Sequence, residues 1–351
     1  YAGHNEFQSR FEWSRTLRPV EAPAELVGGL FARVNRYSPL CQMIQEVIHT
    51  NRLDAPPHFV PRQLIDWPMC SAREYAEILA DFERRLQAIV AYCEQLGTLP
   101  VLVIPPANDG GFEPSRSALP DSVSRSERER LVRDFQAARA AECEPARALR
   151  LYQALVERAP GFAEAHFRVA RLLESNGSYD AAARHYELAR DADALPVRCP
   201  TPFQDAYRKV ASKHDAILVD GPAVLRASSA HGILNDALFH DAHHPTLRAY
   251  VALAEAVLHA LQVRRAFGSL AGSQVPIDPA ECAQHFGMNA TRWWTVCERS
   301  GEFYRWVSIT RYDPRERLEK ADRYALAARQ VAAGVAPERT GVPGLGAGPD
   351  P

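Results

Sequence analysis

The sequence predicts an α/β protein: a doubly wound parallel sheet interrupted by an all-α module of helical hairpins and followed by a helical C-terminal extension. Three observations carry that prediction. Residues 99–104 (Leu-Pro-Val-Leu-Val-Ile) and 216–219 (Ala-Ile-Leu-Val) are short, continuous apolar runs, the pattern of strands buried on both faces. The runs follow stretches with helical spacing, and helix followed by buried strand is the rhythm of a doubly wound sheet. Between the two runs, residues 131–191 carry a repeat of small and large residues at helical spacing.

Composition sets the outer limits. A chain of 351 residues has room for two or three domains at about 100–200 residues each. Lys and Arg number 41 against 43 Asp and Glu, and nearly all the cations are Arg, with Lys only at Lys209, Lys213 and Lys320. Without a basic block, nucleic acid is not an expected partner. Seven scattered cysteines form no Cys-x-x-Cys pair, so free thiols are expected rather than zinc or redox sites. No apolar run reaches the roughly 18 residues of a membrane span, and no cofactor is expected.

Taken in order, residues 1–7 (Tyr-Ala-Gly-His-Asn-Glu-Phe) read as a strand end running into a Gly-x-Asn turn. Residues 7–23 read as loop. Residues 24–52 have helical spacing (Leu26, Leu30, Val34, then Leu40, Met43, Ile44, Val47, Ile48), with a break near Ser38-Pro39, and 63–68 read as loop. Ser71 and Glu74 form a capping box, in which side chain and backbone satisfy each other's free donors. Tyr75, Ile78, Leu79, Phe82, Leu86, Ile89, Val90 and Cys93 line one face of the helix that follows, and Gly97 suits its C-cap. The run at 105–111 then falls at the carboxyl edge of the sheet, where such folds bind ligands. Asn108 is a candidate substrate contact there, as is Asp109; a solvated turn is the plainer reading.

Residues 115–130 are rich in Ser, Arg and Pro and read as a linker. Beyond them, Ala163, Glu164, Ala165, His166, Val169, Ala170, Leu173, Gly177, Tyr179, Ala182, Tyr186 and Ala189 recur at the spacing of a helical hairpin. Ala148, Tyr152 and Leu155 stand about 34 residues before the last three, and Pro160 closes that earlier unit. This segment resembles roughly two tetratricopeptide repeats, which implies either a groove for a protein partner or a spacer. Residues 279–329 are helical and aromatic-rich (Trp293, Trp294, Phe303, Tyr304, Trp306), which core packing explains best. Residues 334–351 are Gly- and Pro-rich and are expected to be disordered.

The chemistry centres on residues 239–245 (Phe-His-Asp-Ala-His-His-Pro). An acid three residues ahead of a histidine, on a loop closing into a helix, suits a general base. The carboxylate accepts from Nδ1–H, fixes the tautomer and leaves Nε2 to take a proton. Pro245 suits the first helical position, and Leu247, Tyr250, Val251, Leu253, Ala254, Val257, Leu258 and Leu261 recur behind it. His243 and His244 both compete for the role of base. A helix start with chance histidines is the plain alternative, and a metal site from His240, Asp241, His243 and His244 is another. At the other end of the chain, Asn5 can offer its amide to a developing oxyanion while Gly3 lets the backbone come close.

A Gly-x-Asn turn followed later by Asp-x-x-His-Pro resembles the SGNH/GDSL hydrolase family. The resemblance covers residues 1–114 and 200–262, and it implies a partial flavodoxin-like, three-layer parallel sheet. It implies Asn5 and Gly3 in the oxyanion hole, Asp241 as the orienting acid and His244, the residue before proline, as the base. His4, Asn108 and His243 become possible substrate contacts. The family's Gly-Asp-Ser block, which carries its nucleophile, occurs nowhere in the chain, so the reading expects that block upstream of Tyr1. The implied organisation is a first hydrolase part (1–114), a linker (115–130), the inserted repeats (131–195) and a second hydrolase part (196–265). A helical extension (266–333) and a tail (334–351) follow. The implied reaction is acyl transfer from an ester, such as an O-acetylated carbohydrate; the alternative is a non-catalytic scaffold that binds proteins through its repeats. The compartment stays open, a bacterial cell envelope or periplasm being one reading.

Overall fold

The computed structural model describes residues 63–68, 71–266 and 276–348. The strand end expected at residues 1–7 and the helices expected at 24–52 lie outside the described residues. The described residues form a mixed α/β structure, mostly helical, with four short strands: β1 (Ile65–Asp66), β2 (Val101–Ile104), β3 (Ser117–Ala118) and β4 (Ile217–Asp220). The two apolar runs pair as expected, β2 parallel to β4, with Val101 opposite Ile217 and Ile104 opposite Asp220. The second pair, β1 with β3, is also parallel. The described residues hold these two-stranded sheets and no larger one.

Helix α1 (Ala72–Gln95) begins at the expected capping box, with both reciprocal bonds formed between Ser71 and Glu74. It ends at Leu96, and Gly97 follows with φ +66°, a conformation that glycine adopts without steric cost. Its buried residues Phe82, Leu86 and Val90 meet Phe203, Tyr207 and Val210 of α6 (Thr201–Lys213), and both helices pack on Leu102 and Ile104 of β2. The Phe82 and Phe203 rings lie 5.1 Å apart. Ile89, expected on the same face, is exposed.

Between the strands, α2 (Arg125–Ala140), α3 (Pro145–Arg158), α4 (Ala163–Ser175) and α5 (Tyr179–Asp191) pack each against the next. Ala148, Tyr152, Leu155, Ala165, Val169, Ala170, Leu173, Ala182, Tyr186 and Ala189, the repeat positions, share one core with Phe135 and Phe162. Gly177 turns α4 into α5 at φ +82°.

Two expectations about irregular segments are corrected. Residues 115–130 are not a linker: they contain β3 and the start of α2, where Ser124 caps Glu127. The polar residues that suggest solvent are instead bonded internally. Ser115 and Arg116 donate backbone N–H groups to Asp193 (2.7 and 2.9 Å), and Ser117 Oγ accepts from the Glu164 N–H at 2.9 Å. Arg128 donates to the carbonyls of Val123, Leu119 and Pro120.

The described part of the tail, residues 334–348, is likewise ordered. It holds a 3₁₀ turn (Pro337–Arg339), and Val342 and Leu345 are buried beside Phe112, Ala242 and Tyr304. Glu338 accepts from the backbone N–H groups of Ala347 and Gly348 (2.9 and 3.1 Å). Gly344 has φ +66° and lies so close to the Ala237 carbonyl and the Thr246 methyl that a Cβ would collide with both. Glycine here permits a close approach rather than disorder.

The C-terminal helices are α8 (Leu247–Val263), α9 (Pro279–His285), α10 (Ala290–Ser308) and α11 (Arg315–Ala332). Trp293 and Tyr304 are core residues, whereas Trp294 is exposed. Among the described residues, no helix is long and apolar enough to cross a membrane.

β4 runs directly into the short helix α7 (Gly221–Ala227). A Cβ on Gly221 would collide with the carbonyl oxygen of Ile104 at the end of β2 and press on the Pro106 ring. The β2–β4 register therefore requires glycine there. Gly221→Ala is expected to lower the unfolding free energy by about 1–3 kcal/mol, the usual cost of overpacking, as measured by denaturant titration. Wild-type stability in that variant would show that the strands separate freely at this end.

Candidate active site

The Asp-His loop is a closed turn built by its own backbone. Phe239 and Pro245 form an isolated antiparallel bridge, the His240 N–H donates to the His244 carbonyl at 2.9 Å, and the Thr246 N–H donates to the Leu238 carbonyl at 2.9 Å. The helix behind it starts at Leu247, with Thr246 as N-cap accepting from the Ala249 N–H. Pro245 is thus outside the helix, not its first residue. Its place in the bridge fixes the chain before the cap, and the Thr246 hydroxyl supplies the acceptor that the first turn needs.

Inside the turn, Asp241 uses both carboxylate oxygens. Oδ1 accepts from the backbone N–H groups of His243 (2.9 Å) and His244 (3.0 Å), and Oδ2 faces Nδ1 of His244 at 2.7 Å. The spacing of three residues is what lets the aspartate cap its own turn and still reach the imidazole. Burial works to raise the Asp241 carboxyl, but the His244 hydrogen bond and charge, with the His243 N–H, hold it below the usual range. An ionised carboxylate only accepts, so Nδ1 of His244 carries the proton and Nε2 is the basic nitrogen of the neutral ring. The hydrogen bond to Asp241 raises the His244 pKa above its ordinary value.

The structure separates the two candidate bases. The His244 side chain is 56% exposed over a nearly buried Asp241. His243 is buried, lies tilted against His244 with ring centroids 4.3 Å apart, meets the edge of Phe303 and bonds the backbone of Val197. Burial pushes its pKa down to about 4, and does the same to His240. His243 is therefore held neutral by its surroundings. Among the described residues, no group of three or more His, Cys, Asp or Glu is placed to hold a metal ion.

Asn108 is fully buried, so it is not part of a solvated turn. Its backbone N–H donates to the Ala242 carbonyl (2.9 Å), its Nδ2 donates to the Asp241 carbonyl and to Asp236 (both 2.9 Å), and its Oδ1 accepts from the Gly111 N–H (2.8 Å). It fastens the end of β2 to the Asp-His loop. Asp109 is buried too and pairs with Arg190 at 2.8 Å. Gly3, His4 and Asn5 lie outside the described residues.

Sequence reasoning missed Asp236, Lys320 and Tyr324, which hold the loop from behind. Lys320 pairs with Asp236 at 2.6 Å, and the Tyr324 hydroxyl donates to the His240 carbonyl at 2.8 Å. The one available signal was Lys320 itself, one of three lysines in an arginine-dominated chain.

These environments fix the pH response. Folding raises the proton affinity of His244, so its contribution to stability is complete below pH 6.5 and is lost as the pH rises through its raised folded value. Asp241 contributes above pH 3.8, and that part is lost as the pH falls through its lowered value. His240 and His243 are held neutral, so the unfolded chain takes up protons first and stability falls from pH 6.5 toward about 4. In an NMR titration His244 is expected above 6.5 and the other two near 4, and Asp241→Asn is expected to lower His244. Equal titration of all three would contradict the separate environments. No protein-family model, no curated protein and no solved structure matches this chain.

Proposed function

We propose that this chain carries the acid–base part of an SGNH-type serine hydrolase on a partial flavodoxin-like sheet, working by acyl transfer. The observation that carries the reading is the 2.7 Å Asp241–His244 contact beneath an exposed imidazole. Among the described residues Nε2 of His244 has no hydrogen-bond partner, which suits a base awaiting a nucleophile. A serine from a Gly-Asp-Ser block outside these residues gives its proton to Nε2 as its oxygen attacks the ester carbonyl. Asp241 holds the imidazolium, and Asn5 with backbone N–H groups, Gly3 among them, stabilises the oxyanion. Collapse of the tetrahedral intermediate expels the alcohol, which takes the proton back from His244. Water then hydrolyses the acyl-enzyme by the same route, and a sugar hydroxyl in its place makes the reaction an acetyl transfer. O-acetylated carbohydrate is the substrate class proposed.

A second reading, an interaction protein of tetratricopeptide type, is favoured by a cavity of about 1140 Å³ along α2. Trp67, Val132, Gln136, Arg139 and Tyr312 are among its lining residues. A partner segment could rest there without any chemistry at His244.

The test compares residues 1–351 with a chain extended to include the Gly-Asp-Ser block, using p-nitrophenyl acetate. The short chain is expected to show no acyl-enzyme burst and the extended chain to turn over. In the extended chain, Asp241→Asn is expected to lower kcat by about 10⁴, as in a triad whose histidine loses its tautomer, and His244→Ala to abolish turnover. Hydrolysis indifferent to His244→Ala would sink the hydrolase reading.

A further inference from the structure

We infer that α11 is a positioning element for the Asp241–His244 pair, attached to the loop directly through Tyr324 and, one layer behind, through Lys320 with Asp236. Its catalytic meaning rests on the hydrolase reading above, but its structural content does not. Three consecutive carbonyls of the loop are held from outside: His240 by the Tyr324 hydroxyl, Asp241 by the Asn108 side chain and Ala242 by the Asn108 backbone. The next two N–H groups turn inward onto the Asp241 carboxylate. With its carbonyls fixed on one side and its N–H groups on the other, the turn has little freedom to move Asp241 away from Nδ1.

Lys320 supports the same frame from one layer behind. Its ammonium bonds the Gly111 carbonyl and pairs with Asp236. Asp236 in turn accepts from the same Asn108 amide that holds the Asp241 carbonyl. Lysine there also offsets the Asp236 charge. Other titratable groups that feel the Asp241 charge are Tyr304 on α10, Tyr324 on α11 and Tyr250 on α8, all with pKa values pushed up, chiefly by burial.

The helix is itself fixed. Arg317, one turn from Lys320, is fully buried and donates to the carbonyls of Glu113 and Val307, both at 2.7 Å. Tyr324 packs its ring on Tyr304 with centroids 6.0 Å apart. Movement of α11 is therefore resisted beside Lys320, where Arg317 bonds the strand-end segment, and beside Tyr324, where it packs on α10.

A role in packing alone and a role in positioning predict different spectra. In the 1–351 chain, Tyr324→Phe removes one hydroxyl without changing charge. It is expected to lower the His244 pKa toward 6.5 and to move the Nδ1–H proton resonance upfield as the Asp241 bond lengthens. His166 and His185, a hydrogen-bonded pair on α4 and α5, serve as unaffected references. Lys320→Met is read by the Nδ1–H resonance only, since loss of a cation raises a nearby histidine pKa by itself; an upfield shift is expected there too. In the extended, active chain, both variants should lose about tenfold to a hundredfold in kcat at unchanged KM, the scale of a misplacement of about 1 Å. Folded variants with wild-type His244 spectra would overturn the inference, and Lys320→Met decides alone if Tyr324→Phe does not fold. Altered spectra in a chain that never hydrolyses an ester would uphold α11 as a positioning element and reject the hydrolase instead.

Discussion

An irregular segment runs through the interior between β2 and β3, and its backbone carbonyls need donors that no strand or helix supplies. Arginine meets that need. Buried Arg198 donates to the carbonyls of Asn108 (3.2 Å) and Phe112 (2.8 Å), Arg317 to that of Glu113 (2.7 Å) and Arg311 to that of Pro114. Each guanidinium brings a charge into low dielectric, so the same region must also hold carboxylates. Glu164 accepts from Arg311 at 2.9 Å and pairs with Arg168 at 2.9 Å, and Glu113 lies 3.6–3.7 Å from Arg317 and Arg311. Burial works to raise the Glu113 carboxyl, yet Arg311 and Arg317 bring it down to about 2. Removing one partner of such a pair typically costs about 3–5 kcal/mol because the other charge is stranded. The helical hairpins, the strand-end segment and the C-terminal helices are thus joined by charge as well as by apolar contact.

That frame explains why three neighbouring histidines behave differently. His240 and His243 are buried, His243 against Phe303 of α10, and low dielectric strips them of their protons. His244, one residue on, projects past the edge of the same packing and keeps Asp241 beneath it. The local turn is short-range, but the contrast in environment comes from helices far along the chain.

Much of this was legible in the sequence, wherever the signal was local. The Ser71–Glu74 capping box, the Gly97 end and the two apolar strands follow from short stretches of sequence, and the positions Tyr152 and Tyr186 from a repeat of about 34 residues. The Asp241–His244 contact follows from a spacing of three. Long-range polar bonding was not legible. Ser115 and Ser117 resembled linker residues because nothing nearby in sequence announced Asp193 or Glu164 as their partners. Asn108 resembled a solvated or ligand-facing residue because its partners lie in the Asp-His loop, beyond the helical hairpins. Gly344 resembled a tail residue, because a glycine chosen for φ > 0 and for close approach to Ala237 has the same letter as one in a disordered tail.

The pairing of Val101 with Ile217 also bears on the order of assembly. The two partners are separated by the whole of α2–α5, and closing so long a loop costs entropy before any strand contact repays it. The hairpins are built on contacts between consecutive helices, which are close in sequence. Once formed, they replace a long flexible connection by a compact body, and the distance the strands must search contracts. Helices that contribute nothing to the sheet's hydrogen bonds thereby act as the internal splint on which the β2–β4 pair is set.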